Sequence, residues 1–139
     1  MQIAWSQSEV VGVRRFVVLS LILLLASCAP SPRETGVLQG HVTIGPLVPV
    51  VREGEPEPTP APEVYASRQI VIYAADGQTE VTRVQIDAQG NYRVELAVGT
   101  YAVDINHAGI DIGKELPKTV EIESGQVTRL DVDIDTGIR

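Results

Sequence analysis

From Gly36 to Asp135 this chain alternates apolar and polar side chains with a period of two. Leu38, Val42 and Ile44 share one parity, with Gly40 between them, while Gln39, His41 and Thr43 take the other. The same alternation runs through Thr82-Val84-Ile86, Tyr92-Val94-Leu96, Tyr101-Val103-Ile105, Val120-Ile122 and Leu130-Val132-Ile134. Successive side chains of a strand point to opposite faces, so each run buries one face and wets the other. Arg68 to Ala75 differs: Ile70, Val71, Ile72 and Tyr73 are apolar on both parities, which predicts a central strand covered on both sides. Asp76-Gly77, Asp87-Ala-Gln-Gly90, Gly99-Thr100 and Ser124-Gly125 supply turn chemistry between the runs. The first strand is expected over Gly36 to Gly45 and the last over Gln126 to Asp135. No helical period competes in this part of the chain. The pattern predicts an all-β fold, a single seven-stranded Greek-key β-sandwich.

Two segments break the alternation. Residues 45–63 hold Pro46, Pro49, Pro56, Pro58, Pro60 and Pro62 together with Glu53, Glu55, Glu57 and Glu63, and read as a long solvated loop with polyproline character. Residues 106–117 are irregular, with Gly109, Gly113 and Pro117. These are the candidate contact surfaces.

The N-terminal end has another character. Arg14-Arg15 precede an apolar stretch from Phe16 to Ala26, whose 11 residues are too few to cross a bilayer core. Positive charge, a short apolar run and small residues make a secretory signal. Leu25-Ala26-Ser27-Cys28, ending on the sole cysteine, resembles the lipobox of bacterial lipoproteins. That resemblance implies cleavage before Cys28, a diacylglycerol on its thiol, and acylation of the new N-terminus, for example by palmitate. Each buried CH₂ contributes about 0.8 kcal/mol, so two or three chains hold a protein to a membrane without a spanning helix. Ala29, where an aspartate would favour the inner membrane, implies the outer membrane in a Gram-negative cell and otherwise the outer face of the plasma membrane. The expected organisation is a leader over 1–27, a lipidated tether over 28–35 and the sandwich over 36–139. Trp5 and Glu9 are unusual in a leader, and Val10 or Val13 is an alternative start.

Loss of the leader removes Arg14, Arg15 and Glu9 and moves the formal net charge from −7 to −8. An acidic domain repels phosphate backbones, which excludes nucleic acid as a partner. No cysteine is left for a disulfide once Cys28 is lipidated. Trp5 and Phe16, the only Trp and Phe, leave with the leader, so the core must be mostly Val, Ile and Leu.

Gly36-Val-Leu-Gln-Gly40-His-Val, Ile70-Val-Ile-Tyr73, Asp87-Ala-Gln-Gly90-Asn-Tyr92-Arg-Val and Leu96-Ala-Val-Gly99-Thr-Tyr101-Ala-Val together resemble the carboxypeptidase regulatory-like domain, one of the prealbumin-like and Cna-B-like sandwiches. The resemblance implies a non-catalytic module that folds, spaces or binds. It places Tyr101 like the tyrosine that hydrogen-bonds back to a corner in Ig-like sandwiches. Cna-B-like members often carry an isopeptide between a first-strand lysine and a last-strand asparagine. Here neither strand has the residue, so no isopeptide is expected.

The remaining motifs argue against an enzyme. Asp135-Thr136-Gly137 spells an aspartic protease tripeptide, but that chemistry needs a second carboxylate and supporting loops. Asp131, Asp133 and Asp135 at alternate positions of a strand point to solvent rather than converge on calcium, and Asp87 and Asn91 belong to a turn. His41 and His107 have no cysteine to join them at a zinc site. Ser67 and Ser124 have no histidine placed for them, and no phosphate or dinucleotide fingerprint occurs. Tyr92 and Tyr101 fall on core parity, which leaves Tyr65 and Tyr73 as surfaces for sugar stacking. The reading is therefore a lipid-anchored, non-catalytic envelope module with no assigned catalytic, cofactor or metal residue and no evident small-molecule substrate. Its single modification site is Cys28, and its partners are the membrane, through that lipid, and an envelope protein. The alternative is a ligand-binding module for carbohydrate or calcium.

Overall fold

The computed structural model describes residues 31–139; the expected leader 1–27, Cys28 and the start of the expected tether lie outside them. Two sheets are formed. The first centres on β1 (Thr35–Gly45), the longest strand, which begins one residue before the expected position. β4 (Asn91–Ala97) runs antiparallel along one side of β1, from Thr35↔Ala97 to His41↔Asn91. β8 (Val127–Arg129) and β9 (Val132–Asp135) run parallel along the other, and β6 (Ile112–Gly113) flanks β9. The second sheet has the order β3 (Glu80–Gln85), β2 (Gln69–Ala74), β5 (Gly99–Ile105), β7 (Lys118–Ile122), all antiparallel.

The core lies between the sheets. Leu38, Val42 and Ile44 from β1 meet Ile70 and Ile72, Val103 and Ile105, Ile122, and Val132 and Ile134, all buried. These are the inward parities of the alternating runs, and burial of each such side chain contributes about 1.5–3 kcal/mol. β2 is central, as its composition demands: Val71 is as buried as Ile70 and Ile72 on the opposite face.

Among the described residues nine strands stand where seven are expected. One addition is β6, a two-residue strand inside the segment 106–117. The other arises because the last strand divides at Leu130-Asp131. In a continuous parallel ladder the His41 N–H would reach the Leu130 carbonyl. Instead the Tyr92 hydroxyl donates to that carbonyl at 2.5 Å, and the His41 N–H is taken by the Asp131 carboxylate at 2.9 Å. The ladder resumes at Val42↔Val132 in unchanged register. Gly40 makes this possible: a Cβ there would sit 1.8 Å from the Leu130 carbonyl oxygen. A helix also appears in the all-β chain. α1 (Pro62–Ala66) opens inside the expected loop 45–63, with proline in its first turn where a missing N–H costs nothing.

Two tyrosines close the sandwich by hydrogen bonds to main chain. Tyr92 is buried, and burial pushes its hydroxyl well above the ordinary tyrosine range. Tyr101 is half-buried and donates to the Ala97 carbonyl at 2.7 Å, the corner bond expected of it. Tyr92→Phe leaves a buried carbonyl without a donor and is expected to lower stability by about 1–3 kcal/mol, whereas Tyr101→Phe costs less than about 1 kcal/mol. Urea unfolding midpoints of the two variants check the order.

Candidate functional site

The strand directions define two ends. At one end lie Thr35, where the chain enters β1, the β4–β5 junction and the Ser124-Gly125 turn. At the other, distal end lie Gly45, the loop that follows it, α1, the segment after Ile105 and the residues after Asp135. The two irregular segments of the sequence therefore meet at one pole, opposite Thr35.

Three contacts build this pole. The Arg68 guanidinium, just after α1, holds Asp111 with two bonds, Nε to Oδ2 at 2.6 Å and Nη2 to Oδ1 at 3.1 Å, and caps α1 through the Val64 carbonyl at 2.8 Å. Asp111 is only 7% exposed, so this fork fixes the 106–117 segment to the helix. Nearby, His107 Nε2 lies 3.1 Å from Asp104 Oδ2; that hydrogen bond, with added charge from Asp104 and Asp111, holds the imidazole above its ordinary value against slight desolvation. Thr136, also buried, donates its hydroxyl to the Pro46 carbonyl at 2.5 Å and its N–H to the Gly45 carbonyl at 3.1 Å. The polyproline segment ends by turning Tyr65 into the core, with Val64 packed against it.

What this pole presents is apolar and acidic. Val50, Val51, Ile110 and Ile112 are exposed here, four of the seven exposed large aliphatics among the described residues. Glu53, Glu55, Glu57 and Glu63 are exposed beside the single cation of that loop, Arg52.

The other residues singled out from sequence have structural partners. Asp131 accepts from His41 N–H and pairs with Arg129; Asp133 pairs with Lys114 at 2.9 Å; Asp135 accepts from Gly137 N–H and pairs with Arg139 at 2.8 Å. Arg139 and the Gly137 amide pull Asp135 down to about 2, so it is firmly ionised, opposite to the shared proton an aspartic protease dyad holds. Asp87 is occupied by the Gln89 and Asn91 amides of its own turn. Among the described residues no three His, Cys, Asp or Glu side chains group closely enough to hold a metal. Ser67 donates to the Val64 carbonyl, and Ser124 lies in the turn at the opposite end. Tyr65 is corrected: it is 5% exposed, because α1 carries it inward, and it offers no face to a sugar. Tyr73 is half-buried. Sequence reasoning missed the Arg68–Asp111 pair; an unpaired arginine before a strand and an aspartate among glycines carry no mark of each other across 43 residues.

No protein-family profile matches the chain, and no curated protein matches it. Among solved structures, a minor pilin from the Gram-positive pathogen Streptococcus agalactiae is similar at TM-score 0.50 and 17% identity, over 74% of this chain and 45% of that one. A DUF3823 family protein from Parabacteroides merdae is similar at TM-score 0.46 and 14% identity, over 74% of this chain and 47% of that one. The major pilin subunit of Bacillus cereus is similar at 0.44 and 18%, over 73% and 29%. The chain spans less than half the length of each of these proteins. The Streptococcus match supports a β-sandwich as the fold.

Asp111→Ala strands the Arg68 charge and is expected to cost about 3–5 kcal/mol, more than replacing both partners by Met and Leu; urea unfolding of the single and double variants checks this. Protonated His107 contributes stability that is complete below pH 6.5 and lost as pH rises through its raised folded value. Comparing the pH dependence of unfolding in the native chain and in His107→Gln isolates it: the difference between them shrinks as pH rises.

Proposed function

We propose that this protein is a lipid-anchored, non-catalytic β-sandwich of the bacterial cell envelope that holds its distal pole toward a protein partner. The observation that carries the reading is the convergence of the loop after β1 and the 106–117 segment at the pole opposite Thr35, with Val50, Val51, Ile110 and Ile112 exposed upon it. Apolar side chains ringed by charge are what partner surfaces are made of. The lipobox-like Leu25-Ala26-Ser27-Cys28 supports the anchor. From Cys28 to Thr35 an extended tether reaches about 25 Å, and β1 adds about 35 Å more. The pole thus works within about 60 Å of the membrane surface. In a Gram-negative cell that membrane is the outer membrane; otherwise it is the plasma membrane, on its outer face. The aspartates occupied by cations and amides, and the buried Tyr65, favour this reading over calcium or carbohydrate binding.

Cys28→Ala is expected to move the protein from the membrane to the soluble fraction, and the mass of the native mature N-terminus to include the lipid. Photo-crosslinking residues at positions 51 and 110 are expected to give a discrete adduct in intact cells, and one at position 78, at the tether end, is not. Adducts of equal yield at all three positions, or none at 51 and 110, overturn the proposal.

A further inference from the structure

We propose that the distal half of β1 receives an extended, basic peptide segment of the partner, added along its unpaired edge. The inference rests on the distal pole being the contact surface and names the chemistry that it takes. β4 accompanies β1 only as far as His41↔Asn91, then turns away toward the other sheet. Past that point the Val42 N–H donates to the Gly90 carbonyl at 2.7 Å. Thr43 and Gly45 direct their backbone groups toward β9, as the bond from Thr136 N–H to the Gly45 carbonyl shows. By alternation the Ile44 N–H and C=O face the other way. There no backbone or side-chain group among the described residues pairs with them. An unpaired strand edge is a template for another strand.

The loop residues Glu57 to Pro60 lie over this edge and leave Ile44 only 4% exposed, but they do not pair with it, so an added strand takes the place they now cover. Pro56, Pro58, Pro60 and Pro62 recur at every second residue, so one whole side of that extended stretch has no N–H to give. It lies alongside β1 without zipping onto it. A cleft of about 350 Å³ lies between them, lined by Thr43 and Ile44 on one side and Glu57, Pro58 and Pro60 on the other; Glu57 also borders a cleft of about 390 Å³ that runs over Thr43 toward Lys114 and Asp133 on the β9 side. Glu57 makes no hydrogen bond or ion pair among the described residues, whereas Lys114 is held by Asp133 and Arg139 by Asp135. The charge left facing the groove is therefore negative, reinforced by Glu53 and Glu55 on the same loop. Main-chain bonds to Ile44 would supply affinity, and lysine or arginine at alternate positions would supply selectivity.

Amide exchange followed by NMR tests this on residues 33–139, one compact unit of the chain. In the free protein the Ile44 amide is expected to exchange much faster than those of Thr43 and Gly45. An eight-residue alternating Lys–Val peptide is expected to protect it, and an alternating Glu–Val peptide is not. Glu57→Lys, an exposed substitution that leaves the core untouched, is expected to weaken the Lys–Val peptide about tenfold. Protection of Ile44 before any peptide is added, or indifference to peptide charge, overturns the proposal. In cells, adducts from positions 51 and 110 that persist unchanged in Glu57→Lys also overturn it, while leaving the distal pole as the contact surface.

Discussion

The sandwich depends on one crowded crossing, where Gly40, Leu130 and Tyr92 meet. β1 is bonded on both sides through its first half, so it cannot shift to relieve a clash with either neighbour. The Leu130 carbonyl lies directly over Gly40, and only a residue without a Cβ leaves it room. Tyr92, from β4 on one side of β1, satisfies that carbonyl, which belongs to the strand on the other side. The bond thus ties three strands together at the level of the core. In exchange, the Asp131 side chain replaces the lost ladder acceptor for His41. A strand can be interrupted at this depth only because two side chains take over its bonds.

Much of this was legible in the sequence because strand burial is a local property. Parity alone separates Leu38, Val42, Ile44, Val103, Ile105, Val132 and Ile134 from their polar neighbours, and all of them are buried. The double-sided apolar run at Ile70-Val71-Ile72 marked the central strand for the same reason. Tyr101 was placed by the family resemblance, and its bond reaches back four residues to Ala97. What stayed hidden depends on partners distant in sequence. The break at Leu130 is set by Tyr92, 38 residues away. The burial of Tyr65 required a single turn of helix in a stretch dominated by proline, where composition argued for solvent. The meeting of the two irregular segments at one pole follows from strand direction, which periodicity does not encode.

The distal pole itself is irregular in sequence and firmly held in structure. Arg68 and Asp111 share a fork with little solvent access, and Thr136 ties the chain after β9 to the residues that leave β1. The exposed aliphatics are thereby carried on loops with fixed ends rather than on free ones. A surface built in this way loses little conformational freedom when it is covered, which favours binding.

The position of β1 also bears on how the molecule would carry load. Tension entering at Thr35 and opposed at the far end runs along β1, parallel to its length and across its hydrogen bonds to β4, β8 and β9. Those bonds would be strained together, in shear, instead of opening one after another like a zip. A domain built on such a spine resists being pulled apart when tension is applied along that strand.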